Sequence, residues 1–214
     1  APLTYGTKAG LNMSLHYGIP DQSGDYEVKL ALRPGLVAGA WLDMEVLPQF
    51  KVGYELLYSQ KGSREQITLL RVDGEELEKP AIMNVRYDLD YLEIPVLFKL
   101  RAIRGKKLAL ESILGTAMSL KIHGYHELDG TVWLPQNGDY EEIEVNESSD
   151  LKGINMFDYS LIYGSALHYS GKLKLSLELR FTLGWDYLLL PTHSMGDPAE
   201  LRNQTYSAIL GIQF

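Results

Sequence analysis

KLKLSLELRFTLGWDY, residues 172–187, alternates without a slip. Leu173, Leu175, Leu177, Leu179, Phe181, Leu183, Trp185 and Tyr187 take the odd positions, and Lys172, Lys174, Ser176, Glu178, Arg180, Thr182, Gly184 and Asp186 the even ones. Side chains alternate across a strand with period two, so this segment is a strand with one apolar and one polar face. Strands of soluble sheets usually run to about five or six residues. A longer strand, with aromatic residues at its end, suits a transmembrane β-barrel whose apolar face meets lipid and whose polar face lines the interior.

Other segments repeat the pattern less regularly. Tyr5, Ala9, Leu11, Met13 and Leu15 oppose Gly6, Lys8, Gly10, Asn12 and Ser14, and Leu36 to Val46 oppose Gly35 to Glu45. Phe50, Val52, Tyr54, Leu56 and Tyr58 alternate with Lys51, Gly53, Glu55, Leu57 and Ser59. The same holds from Leu92 to Leu100, Leu108 to Ile122, Tyr159 to Tyr169 and Tyr206 to Phe214. The total is eight strands. Connections near residues 47–49, 103–106 and 170–171 are short, and those near 17–31, 62–84, 124–153 and 188–201 are long. Outer-membrane barrels sort their connections this way, with short periplasmic turns and long external loops. The fold expected is all-β, an eight-stranded antiparallel up-and-down transmembrane barrel filling residues 1–214 as one domain. Pro95 falls inside a strand, where it cannot donate to the ladder, so a bulge or bend is expected there.

Composition agrees with an envelope protein and excludes several classes. Hydrophobic residues make up 45% of the 214, mean hydropathy is slightly negative, and no apolar run approaches the roughly 20 residues of a spanning helix. With no cysteine, disulfides and thiolate metal sites are out. A net charge of −8 argues against nucleic acid as a partner. A start at Ala1 fits a mature exported chain with its signal peptide removed, located in the outer membrane of a Gram-negative bacterium.

Glycines and charges share the polar face. An eight-stranded barrel is just wide enough for side chains to fill, and charges buried there must pair. Glu93, Lys99, Glu111, Lys121, Glu178 and Arg180 are therefore expected to form an ion-pair network in the lumen, as structure and not as catalysis. His16 and His168 lie on the inner face near strand ends, and His193 lies in the last long connection. His123 and His126 have the spacing of a helical metal pair but no third ligand nearby, so no metal site is expected. No nucleophile motif such as GxSxG is present. No catalytic residue and no cofactor are expected, although barrel enzymes assemble their groups from separate strands.

Between Gly124 and Leu151 the chain carries Glu127, Asp129, Asp139, Glu141, Glu142, Glu144, Glu147 and Asp150, with no Lys or Arg. Such a run is ordinarily a solvated surface loop. It is also the best candidate for a surface that meets cations or a basic partner, but it lacks the DxDxDG spacing of a calcium loop.

Several segments resemble the PorT-like family of outer-membrane β-barrel proteins. LDYLEIPVLFKL at residues 89–100 carries the YLEIP core of that family, and GLNMS at 10–14 resembles its first strand. GLVAGAWLDMEV and FKVGYELLYSQKGS, within residues 35–63, resemble its second hairpin. LELRFTLGWDYL from Leu177 and the terminal YSAILGIQF resemble its last two strands. The resemblance implies an exported eight-stranded barrel and little about activity beyond the namesake's service in protein secretion, and it leaves the acidic stretch at 124–153 outside the shared pattern. Leu210, Ile212 and Phe214 also fit the aromatic-ended last strand that barrel-assembly machinery recognises, which makes Phe214 the expected assembly signal.

The leading expectation is thus a non-enzymatic outer-membrane barrel in a structural, docking or secretion-associated role, with residues 124–153 as its main interaction surface. Its expected partners are outer-membrane lipid, the barrel-assembly machinery and an envelope or secretion protein. A soluble lipocalin-like ligand-binding barrel is the alternative, with leucines pointing inward. An outer-membrane enzyme is the third reading, and a Ser, a His and a carboxylate converging near one rim would mark it.

Overall fold

The alternating segments pair edge to edge until the last returns to the first. A computed structural model describes residues 2–18, 22–23, 26–72, 75–136, 139–151, 155–185, 188–189 and 200–214. In chain order the strands are β1 (Leu3–Tyr17), β2 (Gln22–Ser23), β3 (Tyr26–Ala31), β4 (Arg33–Leu47), β5 (Phe50–Val72), β6 (Glu75–Arg104), β7 (Leu108–Gln136), β8 (Asp139–Asp150), β9 (Phe157–Ser170), β10 (Lys174–Gly184), β11 (Leu188–Leu189) and β12 (Glu200–Gln213). Eight of them close a ring in the order β1–β4–β5–β6–β7–β9–β10–β12, and β12 pairs back onto β1. Every pairing is antiparallel, so the ring leaves no open edge at membrane depth.

The faces decide between a membrane barrel and a lipocalin. Leu114, Leu179 and Leu210 are 61%, 56% and 66% exposed, while Lys8, Glu55, Glu178 and Arg180 are all at or below 5%. The leucines therefore point out and the charges in, the reverse of a soluble ligand-binding barrel. Tyr5, Phe50, Phe98, Tyr169 and Phe214 ring the lower end of this belt; of these, Tyr5 packs at a tilt beside Phe214 and Phe50 stacks with Phe98. Tyr58, Tyr159 and Trp185 lie toward its upper end, an aromatic arrangement that suits membrane interfaces. The short connections at 48–49, 105–107 and 171–173 share the lower end, which makes that end periplasmic by the usual pattern.

One inward glycine shows why the lumen can hold charge, and another glycine marks where β5 changes partner. A Cβ on Gly53 would lie 2.6 Å from Asp43 Oδ1 and 3.0 Å from Lys99 Cε, so its absence leaves room for that ion pair. Gly62, at φ +143°, is buried where the partner of β5 changes from β4 to β3; a Cβ there would press on Tyr87 O at 1.9 Å.

Two expectations need correction. Pro95 introduces no bulge: the register runs unchanged from Tyr54↔Val96 to Leu57↔Glu93, and Pro95 pairs in phase with Ala117. The missing N–H costs only two unpaired positions against β5. The register shifts of β6 against β7 lie elsewhere, at Asp90/Tyr91 and Arg101/Ile103. The long connections are also mostly strand. β3 occupies part of 17–31, β5 and β6 run through most of 62–84, and β7 and β8 form a paired hairpin across most of 124–153. Of 188–201, residues 190–199 lie outside those described, His193 among them. At 23, 30 and 29 residues, β5, β6 and β7 far exceed the roughly 9–11 a strand needs to cross a bilayer. Their upper halves join β3 and β8 in a sheet β3–β5–β6–β7–β8 standing above the apolar belt.

Candidate functional site

The lumen is filled in tiers. Low in the barrel, Lys8 Nζ donates to Glu55 Oε1 at 2.7 Å and to Glu178 Oε1 at 2.8 Å. Arg180 donates from Nη1 and Nη2 to the two Glu55 oxygens, both at 2.7 Å, and also bonds Glu178. Lys99 donates to Asp43 at 2.7 Å and lies 3.9 Å from Glu55. Three cations thus meet three carboxylates, as a dry interior requires. Trp41 lies beneath, its ring 6.0 Å from Lys8 Nζ and 5.6 Å from Lys99 Nζ.

The six lumen residues expected from sequence do not form one network. Glu178, Arg180 and Lys99 share the central cluster. Glu93 pairs instead with Lys61 and accepts from Ser119 at 3.3 Å. Glu111 sits near the periplasmic end against Lys51 at 2.7 Å, His168 at 3.0 Å and Arg101 at 3.5 Å. Lys121, at the upper rim, approaches the Leu151 carbonyl at 3.5 Å. The separation is physical: these charges are spread along strands many residues long, and each pairs with whatever neighbouring strands bring to its own level. Lys8, Asp43, Glu55 and Lys61 complete the pairs; the first three were legible as inward positions, but their partners were not. Between the tiers a gap of about 10 Å³, bordered by Asn12, Ser59, Lys61, Glu93, Arg180 and Thr205, has room for about one water.

At the upper rim a serine, a histidine and a carboxylate do converge. Ser63 Oγ lies 2.8 Å from His16 Nδ1 and donates to Glu65 Oε1 at 2.8 Å, with the His16 ring beside Tyr87. Both partners engage the same side of the imidazole, whose Nε2 has no hydrogen-bond partner. In a catalytic triad the serine and the carboxylate address opposite ring nitrogens. Ser63 and His16 are fully enclosed, so the geometry is that of a hydrogen-bonded chain closing the top of the lumen. His123 and His126 fall on opposite faces of β7, as an odd separation on a strand dictates. His126 is buried beside Ser149, whereas His123 is exposed. Among the described residues no cluster of three metal-ligating side chains occurs.

The acidic stretch is the hairpin β7–β8, with Tyr125↔Asp150 through Gln136↔Asp139 in unbroken register. A register shift near Ile122 swaps the parity of β7, so Glu127 and Asp129 face outward with Glu142, Glu144 and Asp150. Glu141 and Glu147 take the other face, and Asp139 sits at the tip. Glu141, Glu142, Glu144, Glu147 and Asp150 are all exposed. The tip is tied down by Tyr140, which donates to Glu78 at 3.0 Å, and by Lys79, 4.3 Å from the Trp133 ring and 5.4 Å from that of Tyr140. The Glu78 contact holds the Tyr140 phenol above its usual pKa. Among the described residues β8 pairs only with β7, which leaves its far edge open. Phe214 is exposed at the lower margin of the belt, its N–H donating to Tyr5 O at 3.0 Å.

A family model described as outer membrane protein beta-barrel domain matches residues 1–185. No curated protein matches the chain. Among solved structures, the chain is similar to Ail, the attachment invasion locus protein of Yersinia pestis, at 12% identity and a TM-score of 0.42, covering 99% of this chain and 98% of that one. Neisserial surface protein A is similar at 9% identity and a TM-score of 0.43, with both chains fully covered. The outer membrane protease OmpT of Escherichia coli is similar at 12% identity and 0.43, covering 99% and 95%.

Proposed function

Because the chain belongs to the outer membrane protein beta-barrel domain family and sits in the Gram-negative outer membrane, we propose that its barrel is a plugged, non-enzymatic anchor that holds an external sheet out for a partner with a basic surface. The observation that carries this reading is the β7–β8 hairpin. It rises above the apolar belt with eight carboxylates and no Lys or Arg, and five of those carboxylates stand exposed on a strand that, among the described residues, pairs on one side only. Nothing in the barrel requires that charge. The lumen, by contrast, is closed by paired ions and leaves little room for a substrate. Binding residues commonly sit on segments held by a rigid scaffold, and a single-sign field steers an oppositely charged partner. The YLEIP segment, in its resemblance to PorT-like proteins, supports an envelope or secretion protein as that partner, alongside the barrel-assembly machinery that reads the terminal strand.

Replacing residues 126–150 with a short Gly-Ser linker tests the proposal. The barrel should still fold, shown by heat-modifiable gel migration. Crosslinking in living cells from position 144 should trap a basic envelope protein in the parent, and the yield should fall when Glu141, Glu142 and Glu147 become Gln. A linker strain indistinguishable from wild type, together with loss of function in a folded Glu178→Gln barrel, would move the site to the interior.

A further inference from the structure

The outward face of the external sheet carries a second feature, independent of the acidic edge. Cross-strand register lays its side chains out in two rows. Ala31, Arg64, Arg86 and Glu127 form the lower row, and Lys29, Gln66, Asn84 and Asp129 the upper. The face is concave here, a groove of about 550 Å³, within the size range of small-molecule sites. It lies above the apolar belt: exposed Leu32 adjoins Ala31 on one side, and exposed Ile122 stands at the top of the belt on β7 on the other. The groove therefore opens at the level of the headgroups of the outer leaflet.

Its charge is graded across the strands, with Lys29, Arg64 and Arg86 on β3, β5 and β6, and carboxylates on β7. Arg64 stands directly opposite Arg86, a like-charge pairing that destabilises a sheet. Arg86 is compensated by Asp88 at 2.9 Å and by Glu127 at 3.9 Å. Arg64 has no carboxylate partner among the described residues, and the residue is exposed. At the other end the amides run in a chain: Gln66 donates to Asn84 at 3.3 Å, and Asn84 to Asp129 at 3.1 Å.

We infer that this groove binds the phosphorylated sugar headgroup of an outer-leaflet glycolipid. Arg64 and Arg86, with Lys29 beside them, take the phosphate, since a guanidinium fork matches phosphate oxygens two at a time. Gln66, Asn84 and Asp129 accept from sugar hydroxyls. A bound phosphate would supply the anion that Arg64 lacks. The acceptors at the β7 end favour a hydroxyl-rich headgroup over a plain phospholipid, which presents few donors. Position makes the assignment specific to membrane lipid, because a ligand anchored in the belt arrives at the groove from directly below.

The test uses the whole folded chain in phosphatidylcholine nanodiscs doped with a bisphosphorylated diglucosamine lipid. Parallel samples hold the dephosphorylated form of that lipid or phosphatidylglycerol at equal charge, and inorganic phosphate is titrated separately onto protein in detergent. The parent should prefer the bisphosphorylated lipid to both alternatives. Arg64→Gln should weaken that preference by about tenfold, the loss of one charge-assisted contact. Arg64→Lys should fall between, and Lys79→Gln, at the sheet tip, should bind as the parent does. Folding of each variant is checked by heat-modifiable migration, and if Arg64→Gln misfolds the Arg64→Lys titration decides. Unchanged binding by the Arg64 variants would overturn the inference, as would equal binding of the dephosphorylated lipid. A preference for phosphatidylglycerol would overturn the sugar assignment, and tight binding of inorganic phosphate without lipid preference would make the groove a free-anion site instead.

Discussion

Glu55→Gln is the perturbation that most directly tests whether the lumen is a dry, paired plug. Glu55 is 4% exposed and accepts three bonds, all at 2.7 Å, from Lys8 and both terminal nitrogens of Arg180. The amide keeps the shape of the side chain but turns one accepting oxygen into a donor that faces cations. It also leaves three positive charges against Asp43 and Glu178. Hydrogen bonds to charged groups are worth about 1.5–3 kcal/mol each, so three of them bound the loss from above. Relaxation of the long Lys8 and Arg180 side chains recovers part of it. Breaking a buried pair by removing one partner costs about 3–5 kcal/mol, and that is the expected destabilisation. The exposed Arg71–Glu76 pair, 2.7 Å apart, is the comparison: Glu76→Gln should cost at most about 1 kcal/mol. Adding Arg180→Gln to Glu55→Gln restores two cations against two carboxylates, so the double variant should lose less than the sum of the singles by about 1–3 kcal/mol. Urea unfolding of the barrel in phospholipid vesicles, followed by heat-modifiable migration and by the fluorescence of the neighbouring Trp41, measures each difference. A Glu55→Gln barrel within about 1 kcal/mol of the parent would mean that the lumen is solvated and that pairing is not what holds it.

Leu177 is exposed on the belt between Leu167 and Leu210, and Leu177→Arg should cost about 2–4 kcal/mol in lipid, against about 0–1 for Leu173→Arg beside the periplasmic turn; equal costs in a vesicle-folding titration would contradict the placement of the belt. Planar-bilayer recordings should show no conductance, or only small and irregular events, because the tiers of paired charge close the lumen; a large steady current would refute the plug. Tyr140 should titrate above an ordinary phenol because its hydroxyl donates to Glu78. The raised value means that the contact stabilises the hairpin tip below the ordinary phenol pKa and is lost as pH rises through the shifted one. Absorbance difference spectra against Tyr140→Phe should therefore show a midpoint that drops on Glu78→Gln.

The barrel was legible in the sequence because lipid imposes a rule that every spanning strand must obey. Residues 172–187 had to alternate, since one face meets hydrocarbon and the other a narrow lumen, and parity alone sorted Leu177 from Glu178. That same rule stops at the headgroups. Above Tyr58 the outward positions become Gln60, Arg64 and Gln66, so alternation fades although the ladder from β5 to β6 continues through most of the extension. The segments around 62–84 and 124–153 therefore read as loops when they are sheet. Cross-strand hydrogen bonds, which carry no side-chain signature, hold them. The inward charges of the lumen were visible one by one as even or odd positions. Their partners were not, because closing the ring sets which strand stands opposite and at what height, and so brings Lys8 to Glu55 and Glu178 across 47 and 170 residues of chain. The acidic stretch was evident from composition; its pairing as the β7–β8 hairpin, and the facing of Arg64 by Arg86, came only from register. Sequence determined which residues of each strand share a face, because alternation is local; tertiary structure alone decided which face meets lipid and which charges meet, because both depend on strands brought together by closure.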